Sequence, residues 1–211
     1  MTPVAPVPSV DGPYDDESIN LIYQLLFCDR LDLFKQNHTG ELSPPWSTLF
    51  AEETDVAALK EIAADTERES RIRMLAFNRL RAARETVPAR QYLGTIIEVR
   101  FEEGLDTLAV FADGRARYLN HSRKLIVVEG TPSPFDAEIH AVIEASQPIV
   151  SAIGPWEKER LPPPQSGNIR MTFLVSDGLY FGEGPMKVMQ REPLASPLVA
   201  AATKLLLKLI G

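Results

Sequence analysis

Two Asp-Gly pairs, Asp113-Gly114 and Asp177-Gly178, each lie between short stretches of strand-like residues. A chain that reverses within a few residues must pair its flanking strands antiparallel, because a parallel crossover needs a dozen residues or more. Ahead of the first pair, Ile97, Val99 and Phe101 alternate with Glu98 and Arg100, the period of a half-buried strand. Leu105 to Ala112 reads as a second strand, Arg115 to Leu119 as a third and Lys124 to Glu129 as a fourth, the last two joined by Asn120-His121-Ser122. The second Asp-Gly pair joins Asn168–Ser176 to Leu179–Gly182. Both pairs are expected to make tight type I′ turns, with positive φ at the glycine.

Helical periodicity surrounds these strands. Ile19, Ile22, Tyr23, Leu26 and Phe27 repeat at helix spacing behind Asp15-Asp16, which suits a first turn. Ser43-Pro44-Pro45-Trp46 reads as a proline-led helix start, and Thr54-Asp55 caps a short helix to Ala64. A longer helix from about Glu67 to Thr86 ends before Pro88. Phe135 to Ala152 is helical with a kink or break expected at Pro148, and Ser196-Pro197 opens a last helix. The fold class is therefore α+β: a helical N-terminal part, then an antiparallel meander plus hairpin covered by helices on one face. Residues 1–14 read as a flexible proline-rich lead, 15–90 as a helical region packed on the rest, and 91–211 as a two-layer α/β sandwich forming one unit with it. In its order of elements, and without any shared motif, 92–211 resembles the profilin and roadblock/longin type of sandwich.

Composition bounds the function class. Hydrophobic residues make up 45% and charged residues 24%, enough for a packed core. The single cysteine, Cys28, cannot form an internal disulfide, and its apolar neighbours Leu25, Leu26 and Phe27 read it as a buried thiol. The first residues carry neither a basic stretch nor an unbroken apolar run, so a cytoplasmic location is expected. The net charge of −7 is uneven: −9 over residues 1–66, +3 over 67–130 and −1 over 131–211. The split predicts that acids such as Asp15, Asp16 and Glu17 pair with the arginines of the 67–86 helix, and it argues against nucleic acid as a partner.

Phosphate-loop, dinucleotide, nucleophile-elbow and zinc-protease signatures are absent from the sequence, and three scattered histidines with one cysteine form no zinc pattern. No catalytic, cofactor or metal residue is assigned. The candidates for a pocket or interface are His121 in the turn between the third and fourth strands, Trp156 beside the proline-rich connector 155–167, Tyr180 on the second hairpin, and Glu183 just after it. The expectation is a non-enzymatic interaction module, an adaptor, regulator or immunity-type protein, whose partner is another protein. The alternative is a small-molecule binding domain or enzyme with a pocket rimmed by the 155–165 and 182–187 loops. The last helix, PLVAAATKLLLKLI, is too apolar for an ordinary surface helix and too short to span a bilayer. Central burial against the sheet and a homodimer seam are its expected explanations; no membrane partner is expected.

Overall fold

The computed structural model describes residues 12–36, 38 and 40–211, so most of the proline-rich lead falls outside the described residues. The N-terminal helices are α1 (Glu17–Leu26), α2 (Leu31–Gln36), α3 (Trp46–Phe50), α4 (Val56–Ala64) and α5 (Ser70–Ala82). The meander is β1 (Tyr92–Arg100), β2 (Leu105–Phe111), β3 (Ala116–Leu119) and β4 (Leu125–Val128). Then come α6 (Asp136–Ala152), the hairpin β5 (Asn168–Val175) and β6 (Gly178–Pro185), α7 (Met186–Met189) and α8 (Ser196–Ile210). The strands form one antiparallel six-stranded sheet in the order β4-β3-β2-β1-β5-β6, so the fold is α+β.

Local chemistry explains several boundaries. The Asp16 carboxylate caps α1 by accepting from the main-chain N–H groups of Ser18 and Ile19, and Asp55 caps α4 through Ala58. The long central helix runs through Pro148 without a break in its assignment. Tyr14, placed by sequence in the flexible lead, is buried: its N–H donates to Asn20 and its hydroxyl bonds Thr107 on β2.

Helices cover both faces of the sheet rather than one. Ile97, Leu108, Tyr118, Met171 and Phe173 pack under α6 and α8, which make the sandwich expected for 91–211. Leu93, Ile96, Ala109, Phe111 and Leu174 face the other way and share a core with Tyr23, Phe27, Leu59, Met74 and Phe77 of the N-terminal helices. The N-terminal region thus supplies a third layer, and β1 is buried on both sides.

Of the ion pairing expected between the acidic front and the arginine-rich helix, the described residues show only the local pair Arg68–Asp65 at 3.3 Å, and none from Asp15, Asp16 or Glu17. The arginines of α5 are used instead on helix ends. Arg79 donates to the carbonyls of Leu49 and Ala51 where α3 stops, and Arg73 donates to Ala63 at the end of α4. A guanidinium reaches several carbonyls that have no partner within their own helix, and this use outcompetes solvated surface acids. The layer is held by apolar burial and these bonds.

The turns differ from expectation in type, although Gly114 and Gly178 both take a positive φ, of 83° and 156°. Asp113 is not among the positive-φ residues, so the turn is not type I′. Phe111 pairs with Arg115 across a three-residue loop, Ala112 to Gly114, with Gly114 N–H donating to Phe111 O. That is a type I turn closed by a left-handed glycine. In the second hairpin the turn residues are Ser176 and Asp177, while Gly178 pairs with Val175 inside the ladder.

Candidate functional site

The last helix is neither buried on all sides nor polar on its outer side. Leu198, Val199, Ala202 and Leu205 face the sheet, whereas Leu207 and Ile210 are 60% and 48% exposed. Lys204 and Lys208 both reach back to Glu138 of α6, at 3.5 and 2.7 Å, which fixes the helix beside α6. Leu198, Ala202 and Leu205 share the buried stripe of α8, and Ala202 has much the smallest side chain of the three.

The result is an apolar slot of about 210 Å³. Its floor is Ile97, Val99, Leu108 and Ile169, its wall Ala202 and Leu206, and Phe101 and Met186 line it too. Val199 and Thr203 belong both to the slot and to a shallower groove on the outer side of α8, where Leu207, Gln190 and Lys204 complete the lining. Phe101 is 44% exposed, so apolar surface continues out of the slot.

One carboxylate stands in this lining. Asp106 Oδ2 accepts from the Tyr118 hydroxyl at 2.7 Å, and Oδ1 accepts from the His121 N–H at 3.0 Å and meets His121 Nδ1 at 2.8 Å. Burial, followed by the bond to Asp106, holds the Tyr118 phenol above its ordinary pKa. His121 does not itself line the slot but is tethered to Asp106, which does. Asp106, Tyr118 and Ala202 were not singled out from sequence. Ala202, the small residue between Leu198 and Leu205 on the buried stripe of an otherwise leucine-rich helix, is the signal that could have located the slot.

The other sequence candidates are elsewhere and do not meet His121. Tyr180 points into the α6/α8 core layer, with its hydroxyl on Asp177 at 3.1 Å. Trp156 packs edge-on against Phe181, the next residue along β6 and so on the opposite face. Glu183 accepts from Arg170 at 2.6 Å and from Asn168 at 3.1 Å. The 155–165 connector does border clefts: one of about 780 Å³ includes Trp156, Arg81 and Asp177, and one of about 930 Å³ includes Tyr23, Arg100 and Pro164. Their walls include Arg160, paired with Asp29, and Arg81, which donates to the main-chain carbonyl of Ser176.

Among the described residues no group of three or more His, Cys, Asp or Glu is placed to hold a metal ion, and no helix is long and apolar enough to cross a membrane. No family model, curated protein or solved structure matches the chain.

Proposed function

We propose that this chain is a non-enzymatic protein-interaction module that receives an apolar side chain, and the short segment carrying it, in the groove along α8. The observation that carries this reading is the open apolar slot beside exposed Phe101 and Leu207, bordered by Asp106, Gln190 and Lys204. Docking surfaces have this anatomy: an anchor pocket, an apolar collar and a polar rim. The net charge of −7 favours a partner segment with basic residues beside its anchor, because complementary charge speeds encounter.

A photo-crosslinking amino acid at Leu207 tests the proposal in the native host, with Lys60, which lies on the exposed side of α4, as the control position. One protein should crosslink from position 207 and not from 60, and Ala202→Met, which fills the slot, should abolish the product without lowering the melting temperature. Equal products from both positions would refute the docking groove.

A second reading draws on the Asp106–His121 contact. A carboxylate that orients an imidazole beside an apolar slot could serve a small ligand with a short apolar chain. A saturable melting-temperature rise with a medium-chain alkyl compound, lost in Ala202→Met, would favour this reading over the first.

A further inference from the structure

The two edges of the sheet are treated differently. At β6 the connector meets the edge at one point, with Trp156 N–H donating to Leu179 O at 2.7 Å. At β4 no element among the described residues bonds to the edge in this way. The hydrogen-bond parity shows which groups are free there. Phe111 N–H donates to Arg115 O, which aims the odd-numbered residues of β3 at β2. Asn120 N–H donates to Lys124 O, which pairs the even-numbered residues of β3 with the even-numbered residues of β4. Backbone groups alternate along a strand, so Ile126 and Val128 face β3 while Leu125 and Val127 face outward. Among the described residues nothing bonds to the backbone of Leu125 or Val127. Their side chains are 36% and 41% exposed, and no lysine or proline interrupts the strand to discourage pairing.

We infer that β4 is a self-pairing edge, through which two copies of the chain join antiparallel about a twofold axis at Ile126 and merge two six-stranded sheets into one. The sequence selects this register. It sets Leu125 against Val127 of the second copy and Val127 against its Leu125, each pair exchanging N–H and C=O bonds. It also brings Arg123, in the turn before β4, toward the second copy's Glu129, whose side chain is 74% exposed while it meets Arg117 of its own chain at 3.2 Å. A slip of one pairing step in either direction loses this match: one places Arg123 opposite Val127, the other places Leu125 opposite Glu129. Apolar pairs directly across a ladder stabilise it. The interface is short, so the dimer is a weak, concentration-dependent one. It lies on a different surface from the α8 groove and does not depend on the docking reading.

Sedimentation velocity on the full chain, over roughly a thousandfold range of concentration ending near millimolar, reads the equilibrium. A reversible monomer–dimer equilibrium is expected. Val127→Pro removes an outward N–H that serves no bond within the chain, so the fold should persist while the dissociation constant rises by about tenfold or more. Arg123→Glu should weaken the dimer several-fold while leaving the Arg117–Glu129 pair within each chain in place. Ile126→Cys, placed on the axis, should form a covalent dimer on oxidation, since native Cys28 is buried. A monomer at all concentrations would overturn the proposal. So would a dimer that ignores Val127→Pro but dissociates with Leu207→Asp.

Discussion

The phenol of Tyr23 on α1 donates a 2.7 Å hydrogen bond to Oε1 of Glu98 on β1, at a point solvent does not reach. The second carboxylate oxygen, Oε2, has no hydrogen-bond partner. Arg170, opposite Glu98 in the ladder, comes only within 4.0 Å because its guanidinium is turned onto Glu183. Burial is the largest influence on Glu98 and raises its pKa, against the smaller lowering effects of the Tyr23 bond and the Arg170 and Arg160 charges.

A carboxyl whose pKa is raised in the fold holds its proton more tightly there than in the unfolded chain. Its contribution to stability is complete below the ordinary value of 4.5 and is lost as pH rises through the folded value. Glu98→Gln keeps an acceptor for Tyr23 and removes the titration. Urea unfolding should find this variant as stable as the parent, or more so, near about pH 7.5, with no such advantage near about pH 4. Equal loss at both pH values would mean that the charged carboxylate is required. Tyr23→Phe leaves the buried acid without its one donor and should cost about 1–3 kcal/mol.

A second relationship links the hairpin to the helical layer. Asp113 Oδ2 accepts from the Ser70 N–H at 2.7 Å, and the Ser70 hydroxyl accepts from Asp113 N–H at 3.1 Å, so the β2–β3 turn caps α5 from another part of the chain. Asp113→Ala should cost about 1–2 kcal/mol by chemical denaturation, as the loss of a helix cap does. Gly114→Val should cost at least about 1 kcal/mol, because the site has a φ of 83° and an added Cβ would come within 2.6 Å of Thr131. Retention of full stability in both variants would remove the turn from the packing of the layers.

The strands and most helices were legible because their signals are local. The alternation of 97–101, the caps at Asp16 and Asp55 and the glycine at 114 each act within a few residues. The role of Asp113 was only half legible: its turn is local, but its cap on Ser70 spans 43 residues. The arginines of α5 misled for the same reason. Their number suggested a charge partner, whereas Arg79 is used on carbonyls that only the tertiary fold brings near. Of the candidate site, His121 was found as a turn residue, while Asp106 looked like one polar position in a strand. The slot depends on what stands opposite Ala202, which no spacing along the chain reveals.

Glu138 has the opposite titration to Glu98. The bond from Lys208 is the first cause, with lesser help from Lys204, and together they hold its pKa below the ordinary 4.5. A lowered carboxylate stabilises the fold above its ordinary value and loses that contribution as pH falls through the lowered one. Glu138→Gln should therefore lower the melting temperature at neutral pH and flatten the acid side of the profile. Salt should weaken the parent's advantage, since Lys204 is largely and Lys208 partly exposed. An unchanged profile would mean that α8 is held by apolar packing alone.

Arg160 fastens the proline-rich connector to α1. Its guanidinium lies 3.8 Å from the centre of the Phe27 ring, donates to Asp29 at 2.7 Å, and bonds Gln24. Flat stacking together with a directed ion pair suits arginine and not lysine. Arg160→Lys should therefore fail to replace the parent residue, whereas at an ordinary surface ion pair the two would be nearly equivalent. Arg160→Ala should release the connector while the sheet stays intact, because Trp156 N–H still bonds Leu179 O and the ladder β5–β6 does not involve Arg160. Hydrogen exchange resolved by fragment should rise over residues 157–166 and stay unchanged over 168–185. Limited proteolysis should cut the variant within the first of these segments, and Arg160→Lys should behave more like alanine than like the parent. If exchange rises equally in both segments, the connector and hairpin open as one unit and Arg160 is not the fastening point.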